Sequence, residues 1–312
     1  MKQTSRTVLM IRPASFGFNS ETAANNVFQD NVPMSEQQVQ TLAVQEFDEF
    51  VNTLRAHKIN VMIIEDAPQP PKPDAIFPNN WFCTLSDGTI ATFPMFAANR
   101  RIEVRSDLLQ KLKDDFVVTA TEDWTSYDNV NLFLEGTGSM IIDHINKIIY
   151  ACLSPRTHLS LLQQFAEAHH YKAVTFHATD DNGTDVYHTN VIMHIGEGYA
   201  VICSSSIRDE KERNKVITSL TETAHDIIDI TMPQVHRYAG NMLQVQSEDE
   251  NLYTVLSQSA FDSLTESQKQ QLSEHTKLLP VNIPTIETVG GGSVRCMMAE
   301  IFLEKKENES GS

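Results

Sequence analysis

A single unit recurs along this chain: two apolar runs joined by a polar turn, then a segment with helical periodicity, then a third apolar run. Hairpins of this kind begin at Ser139, Asn190 and Asn241, at steps of about 51 residues, a spacing typical of repeat architectures. Another hairpin begins at Asn80, and its turn Ser86-Asp87-Gly88 is a strong hairpin signal. The alternative is a doubly wound α/β sheet, but that fold places single strands, not hairpins, between its helices.

Helix signals follow the hairpins. The pair Ser154-Pro155 predicts a helix start, and residues 35–38 form a capping-box pattern at the start of an N-terminal helix. The fifth unit begins at residues 290–303, but its remaining segments do not follow in the sequence. The strand predicted at residues 8–12 can complete it. We therefore predict an α/β fold, a five-bladed β/α propeller. Its pseudo-five-fold ring of strand-strand-helix-strand units is closed by the N- and C-terminal segments, which leaves no long exposed sheet edge.

We expect one domain over residues 1–304, followed by a polar flexible tail over residues 305–312. The 312 residues include 24 Lys and Arg against 41 Asp and Glu, so the formal net charge is −17. Such a chain repels polyanions, which argues against a nucleic-acid partner or an anionic membrane surface. No apolar run approaches the length of a membrane helix, and the N-terminus lacks a hydrophobic signal core. We expect a cytoplasmic location.

The four cysteines are widely spaced and form no CxxC pair, so neither a zinc site nor a disulfide framework is predicted. No HExxH, Walker or GxGxxG pattern is present, and we expect no metal and no cofactor.

In a ring of this kind the residues at the start of each hairpin point toward the central axis. These positions hold Asn79, Asn80, Glu135, His188, Asn190 and Cys296. A thiol, an imidazole and a carboxylate from three repeats are the groups that nucleophilic catalysis needs. A lone cysteine is more often a core residue, and a histidine more often has a structural role. The three glycines at 290–292, however, indicate close backbone approach or a ligand site just before Cys296.

The glutamate of 135–138, the His-x-Asn of 188–190 and the Gly-Gly-Gly…Cys of 290–296 resemble motifs of the guanidino-modifying enzymes of the pentein superfamily. These include arginine deiminase, dimethylarginine dimethylaminohydrolase, amidinotransferase and succinylarginine dihydrolase. The resemblance covers nearly the whole chain, and residues 11–13 and 73–82 add to it. It is greatest to the bacterial citrulline-utilisation hydrolases, or citrulline ureidases. It implies a five-fold β/α propeller and Cys–His–Glu chemistry without a cofactor.

The resemblance also implies roles for single residues. Cys296 matches the nucleophile, His188 the acid/base and Glu135 the carboxylate that supports it, although residues 135–139 are one residue longer than the corresponding arginine deiminase motif. The remaining matches belong to substrate binding. In some relatives an arginine takes the substrate α-carboxylate, and Arg100 and Arg101 are two possible registers for it. The predicted substrate-binding residues are Asn80, Asn190, Asn79, Asp74, Arg100 and Arg101.

Asn80 and Asn190 occupy positions that are aspartates in arginine-processing relatives. A guanidinium offers donors and a positive charge, whereas a ureido group is neutral and offers both donors and an acceptor, as an amide does. This predicts hydrolysis of citrulline to ornithine, carbon dioxide and ammonia through a thiocarbamate on cysteine. Two alternatives stay open: a deiminase, dihydrolase or amidinotransferase-like enzyme acting on arginine or a derivative, and a non-catalytic pentein that binds the ribosome. We expect a small amino acid as partner and a lid at residues 15–34, and a homo-oligomer is left open.

Overall fold

The computed structural model describes residues 2–307 of the chain. Within that range there are fifteen β-strands, which are β1 Thr7–Arg12, β2 Asn60–Glu65, β3 Phe82–Thr84, β4 Thr89–Thr92, β5 Ala120–Asp123, β6 Ile141–Asp143, β7 Ile148–Cys152, β8 Lys172–Phe176, β9 Met193–Gly196, β10 Tyr199–Ile202, β11 Asp226–Asp229, β12 Leu243–Gln246, β13 Leu252–Ser257, β14 Lys277–Val281 and β15 Ala299–Ile301.

The same range contains the α-helices, which are α1 Ser20–Ala23, α2 Glu36–Ala56, α3 Ser106–Asp115, α4 Gly136–Ser139, α5 Leu159–Ala168, α6 Glu210–Glu222, α7 Met232–Val235, α8 Gln258–Ser263, α9 Glu266–Ser273 and α10 Val294–Met297. Short 3-10 turns precede two of the hairpins, at Pro78–Asn80 and Thr189–Val191. None of the helices in the described part of the chain is long and apolar enough to cross a membrane.

The strands form three-stranded sheets in the orders β3-β4-β5, β6-β7-β8, β9-β10-β11, β12-β13-β14 and β15-β1-β2. In each sheet the central strand is antiparallel to one neighbour and parallel to the other; β10, for example, is antiparallel to β9 and parallel to β11. The antiparallel pairs are the predicted hairpins in four of the sheets. The parallel pairs require a crossover, which a helix supplies in each unit.

The last sheet joins the two ends of the chain. Strand β1 runs antiparallel to β15, with Thr7 opposite Ile301 and Leu9 opposite Ala299, and parallel to β2. Helix α2 begins as predicted, because the Ser35 hydroxyl accepts from Gln38 N–H and the Gln38 side chain accepts from Ser35 N–H. Its buried face includes Phe47 and Phe50, which pack in one core with residues of β1.

One expectation about a chain segment needs correction. The helix predicted from Ser154-Pro155 begins later, at Leu159, with His158 as its N-cap. Residues 154–157 instead form a turn, because the Ser154 hydroxyl donates to Tyr187 O and Thr157 N–H donates to Ser154 O. The predicted tail at 305–312 is paired at its start, since Lys306 N–H donates to Asp115 O. Residues 308–312 lie outside the described residues.

The core of the second sheet provides a stability test. Phe165 on α5 is fully buried, with its ring 5.3 Å from that of Phe93 and 5.9 Å from that of Trp124. We expect Phe165→Ala to lower the free energy of unfolding by about 3–5 kcal/mol, through lost contacts and a cavity. Urea denaturation would measure it. Leu159→Ala, on the exposed face of the same helix, should change it by less than about 0.5 kcal/mol; equal losses in both variants would contradict the described core.

Candidate active site

Several short turns meet where the first strands of the sheets begin. Helix α4 contacts the 3-10 turns at 78–80 and 189–191, and α10 contacts the turn at 78–80. A small cavity lies there, lined by the glycine segment 290–292 and by residues that include Asn80 of the turn at 78–80 and Cys296 of α10. Among the residues that line it are Asp74, Asn80, Arg100, His188 and Cys296. Residues predicted from distant parts of the sequence therefore lie around one small space.

His188 and Glu135 form a buried pair. The His188 Nε2 and Glu135 Oε2 atoms are 2.7 Å apart, and both side chains are almost completely buried. The second carboxylate oxygen of Glu135 accepts from Phe96 N–H at 2.8 Å, and Arg156 Nη1 lies 3.5 Å from Oε2. Burial by itself raises the pKa of Glu135, but Arg156, His188 and Arg100 together lower it to about 2. Glu135 is therefore the acceptor in this pair.

This pairing decides which imidazole nitrogen is available to the cavity. Because Glu135 accepts, Nε2 of His188 carries a proton and Nδ1 is the unprotonated nitrogen of the neutral ring. Burial lowers the pKa of His188, while the hydrogen bond and charge of Glu135 oppose that effect. Gly138 lies against this ring: an added Cβ would be 2.9 Å from Nδ1 and 2.5 Å from Asn80 Nδ2. A residue with any side chain at 138 would displace both groups.

The sulfur of Cys296 lies between two amides. Asn190 Nδ2 and Asn241 Nδ2 are each 3.4 Å from Sγ, and Cys296 N–H donates to Ser293 O at 2.9 Å. Asn241 was not among the predicted site residues. Its position as the first residue of the fourth hairpin, equivalent to Asn80 and Asn190, is the sequence signal that could have identified it.

Several buried polar atoms around the cavity have no hydrogen-bond partner within residues 2–307. They are Asp74 Oδ1, Asn79 Oδ1, Asn80 Nδ2 and Asn190 Oδ1. Buried polar groups in folded proteins are almost always paired, so unpaired groups that cluster in a cavity indicate a place for a polar ligand. Two of these residues are near the cavity but do not line it: Asn79, which donates to Thr137 Oγ1 at 3.3 Å, and Asn190.

Arg100 lines the cavity, but its donors are largely engaged. Its Nε and Nη2 donate to the two carboxylate oxygens of Glu103 at 2.9 and 2.8 Å, and Nη1 donates to Asn80 Oδ1 at 2.9 Å. Burial raises the pKa of Glu103 to about 7, against the opposing effect of Arg100. Arg100 thus orients Asn80, with Asn80 Nδ2 left to face the cavity.

Arg101, the other register considered, lies outside the cavity. Its Nε donates to Met95 O at 3.1 Å and is 3.3 Å from Asp128 Oδ2. The structure therefore brings Arg100, and not Arg101, to the site.

Arg156 is a cavity residue that the sequence reasoning missed. It is 2 % exposed, its guanidinium lies 4.7 Å from the centre of the Tyr187 ring, and it donates to Asn25 Oδ1 and to Thr22 O. The prediction of a helix at 155 hid it, because a helical Arg156 would have been one more surface residue. The turn at 154–157 instead points the side chain inward.

The comparison with family models decides the relationship. The model of the family described as eukaryotic N,N dimethylarginine dimethylhydrolase matches residues 12–303. The chain belongs to this family. It is a member of the pentein superfamily, in the branch of arginine-modifying hydrolases, and the predicted resemblance is confirmed at that level. The comparison with curated proteins found no match.

Solved structures of other penteins share the fold. The substrate-bound N-terminal domain of ArgZ, an arginine dihydrolase from the ornithine–ammonia cycle in cyanobacteria, gives a TM-score of 0.70 at 15% identity and covers 94% of this chain and 97% of that domain. A dimethylarginine dimethylaminohydrolase with an S-methyl-L-thiocitrulline adduct gives 0.62 at 12% identity, covering 95% and 100%. Full-length ArgZ is longer, and the match covers 40% of it.

The segment predicted as a lid, residues 15–34, lies over the cavity in this dimethylhydrolase-family member. Asn26 Nδ2 donates to Gly291 O at 3.2 Å, and Gln29 Nε2 donates to Gly290 O at 3.0 Å. Asn19 Nδ2 donates to Asp74 Oδ2 at 2.7 Å. The segment thus contacts both the glycine turn before Cys296 and a predicted substrate-binding residue. Whether it moves stays a prediction.

No group of three or more histidine, cysteine, aspartate or glutamate side chains suited to a metal ion occurs within residues 2–307.

The His188–Glu135 pair predicts a pH effect. Glu135 raises the pKa of His188, so Glu135→Gln should lower it further and move the acid limb of kcat/KM to lower pH. We expect kcat to fall by about a hundredfold or more, since the carboxylate no longer orients the ring. The matched control is Glu122→Gln, because Glu122 forms a similar pair with His169 (3.0 Å) away from the cavity. An unchanged acid limb and rate in Glu135→Gln would contradict the assignment.

Proposed function

We propose that this protein is a cysteine hydrolase that cleaves C–N bonds at the guanidino carbon of arginine or an arginine derivative. The observation that carries the proposal is the single cavity lined by Cys296, by His188 with its Glu135 partner, and by Asp74. Asp74 Oδ1 has no partner within the described chain, and a guanidinium is the donor-only cation that a buried carboxylate accepts.

The charges near the cavity favour a cationic substrate. The carboxyl groups of Asp74, Glu103 and Glu135 face two guanidinium groups, those of Arg100 and Arg156. Asp74 Oδ1, which has no hydrogen-bond partner in the described residues, could accept from a further cation. A buried carboxylate without a counter-charge is costly, and this supports arginine-type substrates over neutral ones. The family and the arginine dihydrolase ArgZ favour the same class.

The propeller arrangement is part of the proposal. First strands of different sheets touch one another, β15 with β3, β6 with β9 and β9 with β12, and β15 joins the two chain ends. These contacts support five sheets arranged as the blades of a closed ring, with the cavity at the hub.

The first half of the reaction uses Cys296 and His188. The sulfur forms a bond to the guanidino carbon, and the thiol proton passes to Nδ1 of His188. The imidazolium returns this proton to the departing nitrogen, and ammonia leaves. Glu135 stabilises the charged ring while it holds the proton. The product of this half is a thiouronium, with the substrate carbon bonded to sulfur.

The second half is hydrolysis. His188 takes a proton from water, the resulting hydroxide attacks the same carbon, and the C–S bond breaks to regenerate the cysteine and release a ureido product. With arginine that product is citrulline. In a second round the sulfur attacks the ureido carbon and a second ammonia leaves, which gives a thiocarbamate. Water hydrolyses its C–S bond to a carbamate, which decomposes to ornithine and carbon dioxide. One site can therefore act as a deiminase or, if it retains the ureido product, as a dihydrolase.

Arg156 is the proposed receptor for the substrate carboxylate. Arg100 already forms a bidentate pair with Glu103, whereas the nearest carboxylate oxygen to Arg156 is 3.5 Å away. The guanidinium of Arg156 can therefore donate to a substrate carboxylate without breaking a bidentate pair with a carboxylate of the protein.

Citrulline as the starting substrate is the second candidate, favoured by the two asparagines. Asn80 Nδ2 and Asn190 Oδ1 offer a donor and an acceptor with no other partner in the described residues. A ureido group would satisfy both. An enzyme that converts arginine to ornithine would also need this donor and acceptor, because its second round acts on a ureido group.

Substrate specificity can be tested with a panel of arginine, methylated arginines, agmatine and citrulline, scored for ammonia, citrulline and ornithine. We expect turnover of arginine or a methylated arginine, and a loss of at least about a thousandfold in Cys296→Ala. Cys203→Ala is the matched control, since Cys203 is buried beside Met232 and does not line the cavity. Turnover of citrulline alone would favour the second candidate, and full activity in Cys296→Ala would refute both.

Asn80→Asp tests the polarity of the site. A carboxylate at position 80 would strengthen a guanidinium ligand and leave a neutral ureido ligand facing an unpaired charge. The ratio of kcat/KM for arginine to that for citrulline should rise by about tenfold or more, because a charge-assisted hydrogen bond contributes about 1.5–3 kcal/mol. Asn182→Asp adds the same charge at an exposed loop and should leave the ratio unchanged. An unchanged ratio in Asn80→Asp would contradict the polarity argument.

A further inference from the structure

Asn241 belongs to the fourth repeat, which contributes no residue to the predicted Cys–His–Glu set. Its side chain is nevertheless buried against the Cys296 sulfur, with Nδ2 3.4 Å from Sγ. We propose that Asn241 is a catalytic residue which, together with Asn190, holds the sulfur between two neutral N–H donors and stabilises its negative charge as it attacks. The proposal rests on the proposed role of Cys296 as the nucleophile.

The orientation of the Asn241 amide follows from its other partners. Its Oδ1 accepts from the backbone N–H of Arg295 at 3.1 Å. A backbone N–H can only donate, so Oδ1 is the atom beside Arg295 N–H and Nδ2 is the atom 3.4 Å from the sulfur; Oδ1 lies 3.8 Å from Sγ, where it can accept from the neutral thiol. The same NH₂ group donates to Asn190 O at 3.0 Å. Asn241 therefore ties together the turn that carries Cys296, the turn that carries Asn190, and the sulfur itself.

Asn190 completes the arrangement. Its Nδ2 is also 3.4 Å from Sγ, while its Oδ1 has no partner in the described residues. One end of the amide thus serves the sulfur and the other end faces away from it. The contact with the sulfur explains, independently of the substrate, why residue 190 is an asparagine. An aspartate there would place its negative charge against the thiolate.

The guanidinium of Arg295 does not supply this stabilisation, because Nη1 donates to Met298 O at 3.0 Å and Nη2 donates to Glu300 at 2.9 Å. Nε2 of His188 donates to Glu135 at 2.7 Å, and Nδ1 gains a proton only by taking it from the thiol. Within residues 2–307 the N–H donors to Sγ are the two asparagine amides. Hydrogen bonds to the charged form of a group favour that form.

The test measures the sulfur without any substrate. Wild-type protein and Asn241→Asp would be alkylated with iodoacetamide from pH 6 to pH 10, and modification of Cys296 would be followed by peptide mass spectrometry. Asn241→Asp keeps the shape and the acceptor for Arg295 N–H, but it removes the donor and adds a negative charge. We expect alkylation at pH 7.5 to slow by about tenfold or more, because one charge-assisted hydrogen bond is lost, and the difference to shrink toward pH 10.

The matched control is Gln244→Glu. Gln244 is a buried amide on β12, three residues further along; its Oε1 accepts from Glu197 N–H at 2.7 Å and its Nε2 has no partner in the described residues. The exchange makes the same chemical change without touching the sulfur, and the alkylation profile should match wild type. If Asn241→Asp does not fold, judged by thermal denaturation, Asn241→Ser removes the donor without adding charge and should shift the profile in the same direction.

The proposal would be overturned if the Asn241 variants were alkylated at the same rates as Gln244→Glu. It would also be overturned if their alkylation were slower by the same factor at every pH, because a purely structural role predicts no dependence on sulfur ionisation. Steady-state kinetics add a second readout, with kcat expected to fall more than KM changes. Because alkylation needs no substrate, its outcome is independent of the panel that tests the proposed reaction. If the Asn241 variants slow alkylation of Cys296 as expected, but the wild-type protein turns over none of the panel substrates, the proposed reaction is refuted and the role of Asn241 stands.

Discussion

The pairing of β1 with β15 is the constraint on which the rest of the structure depends. Residues 299–301 lie antiparallel to residues 7–9, so the last strand of the chain completes the sheet begun by the first. Cys296 lies three residues before this strand. The pairing therefore holds the proposed nucleophile beside turns from the middle of the chain, and a change that released β15 would separate the sulfur from His188 and Asn190 without altering either residue.

Within the cavity, the arrangement is governed by the cost of burying charge. The Glu135 carboxylate can be buried because His188, Phe96 N–H and Arg156 surround it. The Arg100 guanidinium can be buried because it donates to both carboxylate oxygens of Glu103. Asp74 accepts from Asn19 and Thr22 through Oδ2, and its Oδ1 has no partner among the described residues. This asymmetry is what distinguishes a ligand site from a network of satisfied core residues.

Some of these features could be predicted from the sequence because each depends on local pattern. The capping box at Ser35, the hairpin turn at 86–88 and the glycine run before Cys296 all have signatures within a few residues. Ser154-Pro155 has an equally clear helix signature, yet the helix begins at 159 because Ser154 binds Tyr187 O across the fold. The sequence prediction missed Arg156 for that reason. It missed Asn241 because the position of a residue within a repeat does not reveal which atom its side chain contacts.

The sequence by itself determined the repeating unit, its incomplete last copy, and the residue types available for nucleophilic chemistry, since these follow from periodicity and from side-chain functional groups. Only the tertiary structure decided which groups meet. A contact between residues 241 and 296, or between residues 135 and 188, depends on side-chain directions set by packing among several turns. Such directions are long-range properties of the folded chain, and no short stretch of sequence encodes them.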